Sequence, residues 1–217
     1  MMSVKLVGVT APTVFGIESP VDLIAYTARV SNPANQFNTA TADKLLSYCI
    51  KNSHWSVFEM VNVVLELNCP RDIARQILRH RSFSFQEFSQ RYADATQLEW
   101  LGREARLQDQ KNRQNSVEVD DQELQDEWGW KQAELMAVAR HTYKWALERG
   151  IAKEVARAVL PEGLMMSRMY MNGTLRSWIH YCDLRRGNGT QKEHREVAEM
   201  AWQELCKVFG FLTRIER

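Results

Sequence analysis

Cysteine is scarce and scattered. Cys49, Cys69, Cys182 and Cys206 form no C-x-x-C pair and stand at no Cys/His ligand spacing. No disulfide framework and no metal site is therefore expected, and a reduced cytoplasm, or the host cytoplasm for a viral chain, fits such usage. Apolar runs of membrane-spanning length are missing, as is the charged-then-apolar N-terminus of a secretory signal, so no membrane partner is expected. An excess of either charge is missing too: 28 Lys plus Arg face 27 Asp plus Glu. That balance argues against a nucleic-acid polymer held by counterion release, and it means that clusters of arginine must be read locally. There is no internal repeat and no coiled-coil heptad. A chain of 217 residues can bury a proper core, and one domain over 1–217 is expected.

The patterning that is present alternates between strand and helix signals. Val4 to Val9 alternates as a short strand, and Ser19-Pro20 opens a helix to about Val30. Thr41 caps a second helix. From Val57 to Leu67 apolar residues recur with period two, which predicts a long strand with Glu59 on its buried face. Pro70 starts a helix with Ile73 and Ile77 inward. The polar stretch from Asp94 to Asp121 has weak periodicity and reads as an insertion or mobile segment. Asp120 or Asp121 then caps a long helix to Arg149, stopped by Gly150, on which Trp128, Trp130 and Trp145 are expected as core or interface anchors. A short helix follows around Glu154 to Val159. Met165 to Met171 reads as a strand, Asn172-Gly173 as a turn, and Thr174 as the cap of a helix ending near Arg185-Arg186. In that helix Arg176 and His180 share one face. Thr190-x-x-Glu193 predicts a capping box before a terminal helix to about Phe209. The sum is an α+β chain.

The densest chemistry lies at Arg79-His80-Arg81 and the residues after it, RHRSFSFQEFSQR. Thirteen residues hold three guanidiniums, an imidazole, three serine hydroxyls and the Glu87 carboxylate. Guanidiniums fork onto phosphate or carboxylate, and hydroxyls with backbone N–H groups complete such sites, so the stretch reads as an anion-binding loop. The triad alone would read as a solvated basic turn.

Taken whole, R-H-R-x2-S-x4-S-x-R with Glu two residues before the second Ser resembles the signature of the flavin-dependent thymidylate synthases. The resemblance continues in His54-Trp55-Ser56-Val57-Phe58-Glu59, in Ala74-Arg75-Gln76, in Glu154-x-Ala156-Arg157-x-x-Leu160-Pro161 and from Arg176 to Arg185. It implies an α+β domain with helices against a mostly antiparallel sheet, assembled as a homotetramer with active sites shared between subunits. It also implies reductive methylation of dUMP to dTMP, with methylenetetrahydrofolate as carbon donor and FAD, reduced by NADPH, as hydride carrier. By position, Gln76, Arg79, Glu87, Phe88, Ser89, Gln90, Arg91, Arg157 and Arg185 match the family's dUMP-binding residues. His54, Ser56, Arg79, His80, Arg81, Glu87, Thr174, Arg176 and His180 match positions that contact FAD. Arg185 matches an arginine that faces the uracil and favours its ionisation at N3, so the resemblance makes it the catalytic residue and asks for no protein nucleophile.

Each match has a plainer reading beside it. His54 and His180 alone would be surface histidines, Arg157 an ion-pair partner of Glu154, and Ser89 a tempting nucleophile without a suitably spaced base. The chain departs from the commoner family pattern at Met60, Gln86, His180 and Gly187-Asn188-Gly189, while the arginine set is intact. Two rivals stand beside the resemblance: a flavoprotein of the same fold acting on a related pyrimidine, and a nucleotide-sensing or RNA-binding protein using the RHR loop.

Overall fold

Four antiparallel strands form the sheet that carries the site. The computed structural model describes residues 1–214, in which β1 (Ser3–Val9), β2 (Asn62–Pro70), β6 (Met166–Thr174) and β3 (Ser84–Glu87) stand in the order β1-β2-β6-β3. Alternation explains the pairing. Val63, Leu65 and Leu67 of β2 and Met169 and Met171 of β6 point to one face and are fully buried, while Glu66, Tyr170 and Gln86, in register across three strands, lie on the other. A one-residue slip would carry the whole apolar set to the polar face, so the register is firmly specified.

Helices cover the apolar face. Helix α6 (Leu175–Arg185) is tied to the sheet by Trp178, whose indole N–H donates to the Val63 carbonyl at 3.0 Å, and α7 (Lys192–Val208) lays Val197, Ala198, Ala201 and Leu205 against it. Helices α1 (Pro20–Ala28) and α2 (Ala42–Lys51) close one end, and α3 (Arg71–Ile77) leads from β2 into the RHR stretch. The long helix α4 (Gln122–Glu148) touches the body mainly through its C-terminal half. There Tyr143 and Ala146 pack with Ala95, Met165 and Ala156, the last on the short helix α5 (Lys153–Ala156).

Caps behave largely as their chemistry requires. Ser19, Asp121 and Thr174 each accept from the backbone N–H three residues on, as expected for N-caps. The capping box at Thr190 does not form. Gln191 is the cap residue of α7 and makes no side-chain cap bond, and Thr190 instead donates to the Leu184 carbonyl.

Several sequence expectations are corrected. The strand expected from Val57 starts only at Asn62, because residues Trp55–Glu59 form a 3-10 turn that buries Phe58 against Phe211. Glu59 is therefore not on the buried sheet face; it is exposed and pairs with Arg176. Asn172-Gly173 is no turn, and β6 runs through both. Gly173 serves close packing instead, since a Cβ there would stand 2.4 Å from the Phe83 ring. Ser84–Glu87, expected within a loop, is an edge strand. Trp128, Trp130 and Trp145 are 44%, 77% and 48% exposed, so none is a core anchor of this chain. The stretch 94–121 holds a two-stranded hairpin, β4 (Arg106–Gln108) and β5 (Ser116–Glu118), tied to α7 by Lys192 and Glu193.

Candidate functional site

Arg185, in the last turn of α6, is the centre of the best-built polar cluster. Its Nε donates to His80 Nε2 at 2.9 Å. A ring nitrogen that accepts from a guanidinium carries no proton, so His80 is neutral with its hydrogen on Nδ1. Burial, then the cations Arg185 and Arg79, lower its pKa from 6.5 to about 4. The fold creates this contact by ending α3 at Ile77 and turning the chain so that His80 meets Tyr181, ring to ring at 4.9 Å.

Gln76, on the last turn of α3, enters the same cluster. Its amide oxygen lies 3.2 Å from His194 Nδ1, and its NH2 donates to Gln191 Oε1 at 2.8 Å. His194 is fully buried and contacts the Tyr181 hydroxyl at 3.2 Å. Burial, Arg185 and His80 push His194 down to about 3, and burial raises the Tyr181 hydroxyl well above its ordinary value.

Glu87 makes a separate cluster. Its carboxylate accepts from Arg71 at 3.2 Å, from Arg75 at 3.0 and 3.1 Å, and from the Ser167 hydroxyl at 2.7 Å. Glu162 sits on the other side of Arg71 and Arg75, at 3.3 and 3.7 Å. Glu87 thus already has protein donors on its oxygens.

Past the end of β3, Ser89 and Arg91 are exposed, Phe88 is half-buried with its N–H donating to the Arg168 carbonyl, and Gln90 is buried beside Met165. Arg91 pairs with the Glu154 carboxylate at 3.3 Å, while Arg157 Nε donates to the Glu154 carbonyl at 3.3 Å. The plainer reading of Arg157 is therefore altered in detail: Glu154 offers it a backbone oxygen and gives its carboxylate to Arg91. Among the described residues, no hydrogen bond or ion pair joins this patch to the Arg185 cluster.

The remaining matched residues gather where the 3-10 turn meets the start of α6. Arg176 pairs with Glu59, the His180 ring lies 4.5 Å from that of Trp55, His54 lies 5.9 Å from Tyr48, and Ser56 is exposed. Thr174 caps α6 and also donates to the Ser177 hydroxyl at 3.2 Å. Arg79 and Arg81 are exposed, and among the described residues neither is held in an ion pair. The Ser82 carbonyl, one residue beyond Arg81, accepts from the hydroxyl of Ser177, the residue after Arg176, at 3.5 Å.

Sequence reading missed His194, Tyr181, Gln191 and the arginine pair around Glu87. His194 did leave a signal: it falls in the inward stripe of α7 with Val197, Ala198 and Ala201, where a polar side chain needs a partner. A surface concavity of about 1070 Å3 along the outer face of α4, lined by Trp130, Lys131 and acidic residues, contains none of the matched residues. Among the described residues, no group of three or more His, Cys, Asp or Glu is placed to hold a metal ion, and no helix is long and apolar enough to cross a membrane.

Comparison with known proteins agrees with the residue pattern. The family model for thymidylate synthase complementing protein matches residues 14–209. A probable flavin-dependent thymidylate synthase of Paramecium bursaria Chlorella virus 1 is 50% identical over 213 residues, covering 98% of each chain. The flavin-dependent thymidylate synthase of Synechocystis is 49% identical over 212 residues, covering 96% of each. In fold, the chain is similar to the UMP/dUMP methylase PolB from Streptomyces cacaoi bound with 5-Br dUMP, with a TM-score of 0.78 at 24% identity over 99% of this chain and 96% of that one. The matched length and the identity to these relatives leave one assignment: the chain belongs to the flavin-dependent thymidylate synthases, an enzyme family of methyltransferases that uses FAD.

Proposed function

We propose that this protein reductively methylates dUMP to dTMP, with methylenetetrahydrofolate as carbon donor and NADPH as reductant, and that Arg185 is its catalytic residue. The observation that carries this reading is the Arg185–His80 contact at 2.9 Å. A neutral imidazole that accepts from Nε holds the guanidinium in place without cancelling its charge, leaving the remaining N–H groups free to face a pyrimidine. A fixed cation there lowers the energy of negative charge developing on the ring, and no reorganisation is needed as the charge appears. Gln76, three residues and one helical turn before Arg79, supplies an amide to the base edge.

The nucleotide's phosphate is assigned to Arg91, Arg157 and the Ser89 hydroxyl with the neighbouring backbone of Phe88 and Gln90. Glu87 acts there through Arg75 and Arg71, which it holds. Arg79, Arg81 and Arg176 are assigned to the FAD pyrophosphate, with His54, Ser56, Thr174 and His180 beside them. When bound, reduced FAD supplies the hydride that completes the methyl group; this chain orients the ligands, supplies positive charge and excludes water.

Among the described residues no hydrogen bond or ion pair joins the phosphate patch to the Arg185 cluster, while the nucleotide is assigned to both. That supports sites completed by neighbouring subunits of a homotetramer, working in the cytoplasm of the cell or of a viral host. The test is direct. Purified protein given dUMP, methylenetetrahydrofolate, FAD and NADPH should form dTMP and elute as a tetramer by light scattering; an active monomer would refute the shared site, and a protein that binds no FAD would refute the activity.

A further inference from the structure

Six side chains form one continuous hydrogen-bond chain through the cluster, and its two ends dictate its direction. At one end Tyr181, 2% exposed, keeps its proton and can only usefully donate to His194 Nε2 at 3.2 Å. His194 must then carry its own proton on Nδ1, which faces Gln76 Oε1 at 3.2 Å. Gln76 Nε2 donates to Gln191 Oε1 at 2.8 Å, and Gln191 Nε2 donates to Glu193 Oε2 at 2.9 Å. Glu193, 7% exposed, ends the chain as an acceptor held from the far side by Arg106 at 2.6 Å. Every donor meets an acceptor in one sense only. Rotating the Gln76 amide by half a turn would set its NH2 against the His194 N–H and its oxygen against Gln191 Oε1, two mismatches in a largely buried site.

We propose that Tyr181, His194, Gln191 and Glu193, anchored by Arg106 of the 94–121 stretch, are positioning residues that fix which way the Gln76 amide faces and thereby set base selectivity. The proposal rests on the reading that Gln76 meets the pyrimidine. With the amide fixed, one N–H of Nε2 and one lone pair of Oε1 remain for a ligand at set positions. Uracil and cytosine exchange donor and acceptor at the ring edge, so an amide that cannot turn distinguishes them and one that can turn does not. Arg106, in the stretch with no other assigned chemistry, holds the far end of the chain.

The experiment measures dUMP and dCMP affinity by calorimetry on the FAD-loaded protein. Gln191→Leu should weaken dUMP binding by roughly tenfold, as one lost buried hydrogen bond implies, and narrow the preference for dUMP over dCMP by a similar factor. The double exchange Gln191→Glu with Glu193→Gln keeps every donor opposite an acceptor and the net charge unchanged, so it should restore both. A merely structural Gln191 would lower stability without moving the preference. Gln76→Leu should abolish the preference and make Gln191→Leu silent when the two are combined. If Gln76→Leu loses the preference while Gln191→Leu keeps it, the positioning chain is refuted and the site reading stands. If Gln76→Leu itself keeps the preference, the reading of Gln76 falls and the inference with it.

Discussion

Acid should destabilise this protein through two particular imidazoles. His80 and His194 titrate at about 4 and about 3 in the folded chain against an ordinary 6.5, each depressed first by burial and then by Arg185. Both folded values lie below the unfolded one, so in this window the unfolded chain binds protons that the folded chain refuses. The stabilisation is therefore complete above about pH 6.5 and declines as pH falls, toward 4 for His80 and toward 3 for His194. At about pH 5 the unfolded imidazole is almost wholly charged and the folded one almost wholly neutral, which costs about 2 kcal/mol for the fully buried His194 and less for the half-buried His80, where solvent screens the charge. The two rings share Arg185 and repel one another when charged, so their protons are taken up as a coupled pair. Urea unfolding at equal protomer concentration, at about pH 7.5 and about pH 5, measures the loss. His194→Gln, which cannot titrate, should lose about 2 kcal/mol less than wild type over the same interval. A wild-type pH slope in that variant, or an NMR titration of His194 centred near 6.5, would refute the neutral, buried cluster.

Two further substitutions test the framework around the site. Gly173→Ala places a methyl 2.4 Å from the Phe83 ring, which cannot retreat because Trp178 and Tyr181 lie against it at 4.9 and 5.9 Å. A loss of about 2–3 kcal/mol in thermal unfolding is expected for overpacking there, and an unchanged melting temperature would mean that β3 is not held as described. Glu87→Gln removes the carboxylate between Arg71 and Arg75, whose side chains are 9% and 39% exposed, and leaves only the more exposed Glu162 to compensate. It should cost about 3 kcal/mol of stability and weaken dUMP binding as well, because the arginines would be released; retained stability would show the ion-pair cluster to be dispensable.

Much of this fold could be read from local pattern. The period-two apolar residues of β1 and β2, the caps at Ser19, Asp121 and Thr174, and the stop at Gly150 all express chemistry that acts within a few residues. The failures came where a distant contact decided the outcome. Gly173 follows an asparagine and so has the form of a turn, but the Phe83 ring crossing over it keeps the strand straight. Val57 extends the alternation of β2, yet Phe58 turns inward to meet Phe211, from the other end of the chain, and the backbone follows. Thr190 and Glu193 have capping-box spacing, but Arg106 claims the carboxylate. The exposed tryptophans of α4 show the same limit: helical periodicity identifies an apolar face and does not say what covers it.

The site divides in the same way. Arg185, His80 and Gln76 could be picked out because the RHR stretch and the end of α6 carry a recognisable pattern. The His194–Tyr181 pair joins α7 to α6, and its only trace in the sequence is a histidine on an inward helical stripe. The resemblance makes Glu87 a ligand contact, and within the chain its oxygens accept from Arg71 and Arg75 of α3 and from Ser167 of β6, two segments that the sequence does not show to meet.

The most direct test of the central claim compares dTMP formation with NADPH-driven flavin reduction in Arg185→Ala. Removing a fixed cation where charge develops should slow dTMP formation by roughly a hundredfold to a thousandfold. Flavin reduction does not need the activated uracil and should stay within a few-fold of wild type. A variant that forms dTMP at nearly the wild-type rate would contradict the role assigned to Arg185.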